Sequence, residues 1–487
     1  MVCKKQLVGR WLVLALTVLL SPGAVVADDL EAGPFYHQFK LTLAPGHRTE
    51  AAGPFFYSEL KDTTRLWALP PLFSHTLDED LDFEEYDLAY PLFGYDRFGK
   101  EYRFQIFQLF NFTGGQTQTA TNDHRFTLFP VYFQQRSRIP ERNYTAVLPF
   151  YGTIRNRLFH EQISWIMWPG WVKTSKRDFT TWNTPYPFFH IRQGPGLEGW
   201  QFWPLVGHEH KIPTTRTNTW GDAVPVPGHD KFFLLWPFFF NDHTATGTTN
   251  PVHQQALIPF YSFTRSPLRD STTYLWPLGF TRTDDREKKY REWDMPWPLV
   301  VFARGEGKTA NRIWPFFSQA HNATQDKCWY LWPVYKRDRL RSDPLDRSRT
   351  RIFFFLYSDL TEKNTATGAA LHRVDFWPFY TARHDLNGNE RVQALAILEP
   401  ILPNNKSIER NYSPLYSLWR SEKNAATGAT SRSLLWNLYR RDTTPDTTNA
   451  SLLFGLLKHR TGPDGSHWRV FYLPVGGTKT PVETPAP

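Results

Sequence analysis

Trp314-Pro315-Phe316-Phe317 and Trp332-Pro333-Val334-Tyr335 are two copies of one motif: an aromatic residue, a proline, then bulky apolar residues. Upstream it recurs as Leu69-Pro70-Pro71-Leu72-Phe73, Tyr90-Pro91-Leu92-Phe93, Phe129-Pro130-Val131-Tyr132, Leu148-Pro149-Phe150-Tyr151, Trp168-Pro169-Gly170-Trp171 and Tyr186-Pro187-Phe188-Phe189. The series continues through Trp203-Pro204-Leu205, Trp236-Pro237-Phe238-Phe239, Ile258-Pro259-Phe260-Tyr261, Trp276-Pro277-Leu278 and Trp297-Pro298-Leu299, and downstream to Trp377-Pro378-Phe379-Tyr380. Degenerate copies replace the proline, as in Phe107-Gln108-Leu109-Phe110, Trp436-Asn437-Leu438-Tyr439 and Phe454-Gly455-Leu456-Leu457. Successive centres lie about 20 residues apart, the signature of one supersecondary unit reused along a chain.

Between centres stand polar, charged and β-branched residues and then turn formers: Asp96-Arg97-Phe98-Gly99, Asp284-Asp285-Arg286, Asn387-Gly388-Asn389 and Gly462-Pro463-Asp464-Gly465. Asparagine, aspartate and glycine tolerate the positive φ of tight hairpin turns. The spacing predicts an all-β chain, antiparallel and up-and-down, with strands of roughly 12 to 14 residues centred on the prolines and about 22 strands in all. No stretch sustains a helical apolar period, so helices are expected to be few. His243-Thr244-Ala245-Thr246-Gly247, Asn364-Thr365-Ala366-Thr367-Gly368 and Asn424-Ala425-Ala426-Thr427-Gly428 are related loops, which duplication of one hairpin explains. Residues 212–230, rich in threonine, proline and glycine, are the one large departure from the period and read as an excursion loop.

The strand pattern constrains the surroundings. Tyr102, Phe104 and Ile106 alternate with Arg103 and Gln105, a strand with one wet and one dry side. Phe232–Phe240 and Leu434–Tyr439 are apolar on both faces at the centre and polar at the ends. A sheet of such strands is buried on both sides along a belt, and two architectures supply that burial. The leading expectation is a closed β-barrel in an outer membrane, which leaves no sheet edge exposed; the alternative is a stacked β-repeat scaffold, soluble or surface-associated. In the barrel, Arg103, Arg373 and Asp375 are expected to face the lumen of a pore or transporter. Against it stand the prolines, which remove a backbone donor at the middle of each strand. Loop lengths also fail to alternate strictly, and the chain ends in a polar tail rather than an aromatic strand. Under either architecture Trp203, Trp236, Trp276, Trp297, Trp314, Trp332 and Trp377, with Pro204, Pro237, Pro277, Pro298, Pro315, Pro333 and Pro378, form the structural belt. Packing explains so regular a placement better than carbohydrate stacking does.

Residues 1–27 have the zones of a secretory signal: Lys4, Lys5 and Arg10, an apolar run from Trp11 to Leu20, then Val25 and Ala27 before a cleavage site at Asp28. The run is half the length of a spanning helix. The expected organisation is therefore a leader, one β-repeat domain over 28–477, and a disordered polar tail over 478–487. Location is expected to be the outer membrane, or else the periplasm or cell surface. Beyond the leader only Cys328 remains, which excludes an internal disulfide, and its apolar neighbourhood argues for an inert thiol.

The net charge is +9, of which the leader's three basic residues are part, leaving 9 − 3 = +6. Lys336, Arg337, Arg339 and Arg341 are interleaved with Asp338, Asp343 and Asp346, unlike the basic stripe of a nucleic-acid binder. Membrane lipid is the expected partner, and nucleic acid is not. His208-Glu209-His210 puts two imidazoles on one strand face, with His229 beyond the excursion, but a metal site needs three or four ligands. The acidic run Asp78-Glu79-Asp80, with Asp82, Glu84 and Glu85, lacks the spacing of a calcium loop. No nucleophile elbow, phosphate loop or dinucleotide fingerprint is present, so the expectation is no enzyme, no cofactor and no metal.

Overall fold

The computed structural model describes residues 33–475 apart from 117–122, 177, 218–219, 277 and 464. The expected leader and polar tail, and Pro277, therefore lie outside the described residues. Those described form 45 strands, of which 43 belong to one antiparallel sheet, each bonded to its neighbours in chain order. The sheet runs from His37–Lys40 to Leu473–Val475, and these two end strands do not pair with each other. It is thus open among the described residues, an up-and-down repeat rather than a closed ladder.

The repeat holds twice as many strands as its period suggested, because each motif is a turn and not a strand centre. Lys308–Ile313 pairs with Phe317–Asn322 through the register Ile313↔Phe317, leaving Trp314-Pro315-Phe316 as the loop. Phe316 N donates to Ile313 O at 2.8 Å, a β-turn with proline at its third position, and the Trp314–Pro315 bond is cis as such a turn requires. The same construction closes Leu69 to Phe73, Leu128 to Tyr132 and Tyr330 to Tyr335. A 20-residue unit is therefore two strands, mostly of five to eight residues, an apolar turn at one edge and a polar turn at the other. This corrects the expected 22 strands of double length. It also removes the objection from proline, since a turn position has no ladder hydrogen bond to lose.

The polar turns are closed by side chains. In two of the related loops, Asn364 Oδ1 accepts from Ala366 N and Thr367 N, and Asn424 Oδ1 accepts from Ala426 N and Thr427 N. Gly368 and Gly428 then take φ of 76° and 69°, which only glycine adopts freely. The excursion over 212–230 carries its own hairpin, Thr214–Thr217 with Ala223–Val226, and the main sheet resumes at Gly228. A second departure falls between Leu395 and Leu418, which the repeat alone did not announce. It holds two short helices, α1 (Lys406–Asn411) and α2 (Ser413–Tyr416), with Asn405 Oδ1 capping Ile408 N at 3.1 Å.

The helical segment rests on one face of the sheet, the inner face. Buried apolar side chains gather there: Tyr144, Ala146, Ile154, Trp165 and Val172 form one cluster, with Phe133 and Ile163 packed against it. Small residues line much of the rest, such as Ala68, Ala256, Ala303 and Ala310, which lets the sheet curl toward that side.

Candidate functional site

The two edges of the sheet differ in chemistry. At the proline edge the turn tips are apolar and exposed, among them Leu72, Leu92, Leu109, Phe150, Phe238, Phe260, Phe316 and Phe379. The adjoining aromatic rings meet along the edge, tilted at 6.0 Å between centroids for Trp203 and Trp236 and 6.3 Å for Trp314 and Trp332, and edge-on at 5.6 Å for Phe355 and Trp377. Trp236, Trp276, Trp297, Trp314 and Trp332 stay about half exposed, so the tryptophan and proline set stands on the rim of the sheet rather than at mid-strand.

The turns are also bonded to one another. Trp314 N donates to Leu299 O at 2.8 Å, Leu331 N to Phe316 O at 2.6 Å, Phe353 N to Val334 O at 2.9 Å and Trp377 N to Leu356 O at 2.9 Å. An edge whose backbone donors are already paired can enter an apolar medium without stranding them.

On the outer face the character changes across the height of one strand. The row beside the proline edge reads Phe317, Tyr330, Tyr335, Ile352, Tyr357, Phe376 and Tyr380, each paired with the next. Four residues along each strand the same ladder reads His321, Asp326, Arg339, Ser348, Thr361, His372 and His384. Between them the row reads Gln319, Cys328, Arg337, Thr350, Asp359, Val374 and Ala382, already mixed, so the wholly apolar part is the turn tips and the first outer row. On the same strands the inner row nearest the rim is mostly polar, with Ser318, Lys336, Arg351, Ser358 and Asp375 interrupted by Trp329, whereas farther upstream it carries the apolar cluster around Trp165.

On the inner face α1 ties the first strands to the last. Arg410 donates to Thr76 at 3.0 Å, Glu85 at 2.6 Å and Asp87 at 3.0 Å, and its carbonyl accepts from the Tyr57 hydroxyl at 2.9 Å. Asn411 Nδ2 bonds Ser74 and Asp87. Toward the other side Arg383 meets Glu409 at 3.3 Å, and Arg373, paired with Asp375 at 2.9 Å, donates to Glu399 O at 2.8 Å. Glu399 accepts from Gln393, Ser413 and Tyr416. Burial raises the Asp87 carboxyl against the pull of Arg410, and burial beside Glu399 raises the Tyr416 phenol. Below this clasp lies a cavity of about 620 Å³ between the first strands and the strands Glu390–Ala394, Trp419–Lys423, Thr430–Leu434 and Tyr439–Thr443.

Several expected positions are placed as read and others are not. Arg103, Arg373 and Asp375 do lie on the inner face, where Arg103 pairs with Asp96 and the other two pair with each other. His208 and His210 share the outer face and both meet Asp230, at 3.1 and 3.2 Å, whereas His229 is on the opposite face at 2.7 Å from Glu209. Among the described residues no group of three or more ligating side chains is arranged for a metal. The acidic run is divided between tasks: Asp78 accepts from Thr64 and Leu81 N in its turn, Glu84 from Tyr86, Arg97 and His75, and Glu85 holds Arg410. Cys328 is half-buried, and burial pushes its thiol upward, away from thiolate chemistry.

Missed from sequence was the arginine set around the cavity, whose only sequence trace is the lapse of the repeat between Tyr380 and Trp436. No family model matches the chain, and no curated protein matches it in sequence.

Proposed function

We propose that the chain is a membrane-seated β-scaffold: the proline edge dips into one leaflet of a bilayer, and the polar edge and inner face stand in water. The concentration of exposed apolar turn tips at one edge, repeated from unit to unit, with the edge backbone bonded turn to turn, carries this reading. An apolar rim of turn tips and one outer strand row suits the shallow interfacial depth of a monotopic protein, roughly 5–10 Å into the headgroup and acyl boundary. A run of half-exposed tryptophans suits the headgroup boundary. A spanning barrel needs strands of roughly 9–11 residues with an apolar band near 25 Å. Strands of five to eight residues with a charged outer row favour seating over spanning, and thus a scaffold over a pore. Export through the segment 1–27 and residence at the outer membrane complete the proposal.

The test is flotation of the full chain with phosphatidylcholine vesicles, followed by extraction with high salt and alkali. Co-flotation that survives salt is expected. A chain that stays monodisperse in buffer and remains with the soluble fraction would reject the seating.

A further inference from the structure

Five arginines line the inner cavity, and four of them sit against a carboxylate. Arg48 Nε is 2.8 Å from Glu50, Arg391 Nη1 is 3.5 Å from Glu409, Arg410 Nη2 is 3.0 Å from Asp87, and Arg440 Nε is 2.8 Å from Asp442. Arg420 is the exception. Its Nη2 touches Ser417 Oγ at 3.5 Å, and its Nε is sealed from solvent with no hydrogen-bond partner among the described residues. The nearest acid, Glu422, turns to Arg391 at 3.7 Å.

Burial pulls this guanidinium down to about 10, reinforced by Arg391, so it stays charged at neutral pH. Glu422 and Glu50 act on it through space, and other carboxylates line the cavity, but none is in contact with this guanidinium; a cation held at a roomy cavity without a contacting counter-charge is a place for an anion. The surrounding chemistry supports it. Ser433 is the ladder partner of Arg420, Ser431 lies two residues along on the same inner face, and both line the cavity beside it. Arginine forks and hydroxyls together suit the several acceptor oxygens of a phosphate. Arg420 also lies in the inner row nearest the proline edge, two residues from exposed Leu418 and close to Trp436 in the cavity wall.

We propose that this cavity binds a phosphate-type anion, with Arg420 as its principal ligand. Two sources carry that chemistry: free inorganic phosphate, and the headgroup of a phosphomonoester lipid standing at the proline edge. The site itself does not depend on the seating of that edge.

The experiment uses the full chain as wild type, R420Q and R420K. Thermal unfolding is followed with inorganic phosphate against chloride at equal ionic strength, and binding is measured to phosphatidylcholine vesicles with and without phosphatidic acid. For the soluble source, phosphate raises the wild-type Tm by several degrees, less for R420K and not at all for R420Q. For the headgroup source, phosphatidic acid tightens wild-type binding about tenfold and R420Q loses that gain, while binding to phosphatidylcholine alone is unchanged. Without phosphate, R420Q is expected to unfold at or above the wild-type temperature, since it removes a buried charge with no carboxylate in contact, so a lost response is not a lost fold. Responses of R420Q equal to wild type with both probes, or no wild-type response to either, would overturn the site.

Discussion

The same hairpin is closed in two ways at the two edges of one sheet. Between Lys308–Ile313 and Phe317–Asn322 the chain turns on Trp314-Pro315-Phe316, with Phe316 60 % exposed; eight residues after Phe316 it turns again on Ala323-Thr324, held by Asn322 Oδ1. One edge presents apolar tips repeated along the whole sheet, and the other mostly presents side chains that satisfy turn backbone, with exposed Leu81, Leu386 and Leu158-Phe159 as exceptions. A patch of that extent exceeds what a monomer ordinarily leaves in water. The difference teaches that the period encodes orientation as well as fold: each unit delivers one apolar tip to the same side.

The largest expected effect comes from breaking that edge. Replacing Phe238, Phe260, Phe316 and Phe379 together by serine removes four tips. At about 1 kcal/mol for each half-buried ring, vesicle partitioning should fall by about a thousandfold. The matched polar-edge variant K100S/E306S/T324S should partition within about twofold of wild type. Equal losses in both would erase the distinction between the edges.

How much of this was written in the sequence follows from the same turns. The all-β class was legible because turn formers and alternating strands are local. The strand count was not, because Trp-Pro-Phe-Phe is apolar on both faces and so imitates the centre of a buried strand. The missing donor of proline was the signal that pointed to a turn, since no ladder tolerates that many interior prolines. The Arg410 clasp had no local signature at all: its partners Thr76, Glu85 and Asp87 stand more than 300 residues away in the chain.

Next in size is the clasp, which separates the stability of the sheet from the seating of its edge. Arg410→Met leaves Glu85 and Asp87 buried without their cation and should destabilise the fold by about 3–5 kcal/mol in urea titration. The folded fraction should still bind vesicles as wild type does, because the proline edge is untouched. A specific loss of binding at unchanged stability would assign the clasp to the membrane surface instead.

A smaller effect tests a buried carboxyl at the rim of the inner face. Asp294 is buried there beside Val301, its Oδ1 has no hydrogen-bond partner among the described residues, and burial with Glu292 nearby pushes its carboxyl up to about 6. The folded value lies above the unfolded one, so the protonated acid favours folding at low pH. That contribution fades as pH rises from about 4 to 6, and above it the buried charge is a fixed cost. Asp294→Asn should therefore add about 2 kcal/mol at pH 7 and close to nothing at pH 4. Stabilisation independent of pH would mean that the carboxyl is hydrated.

The smallest effect is expected where the polar edge departs from its own rule. Leu158-Phe159 closes the hairpin from Arg157 to His160 at that edge, and Phe159 is 98 % exposed, more than any tip on the proline edge. Exposure alone would rank it first for lipid contact, whereas its position ranks it last, since it points away from the seated side. Phe159→Ser should change stability by less than about 0.5 kcal/mol, and should leave vesicle partitioning within twofold of wild type. Phe316→Ser, one comparable ring at the proline edge, should cost about fivefold by the same area argument. If the two single variants lose binding equally, the membrane is met by exposed aromatic rings wherever they occur, and the edge as an organised surface loses its claim.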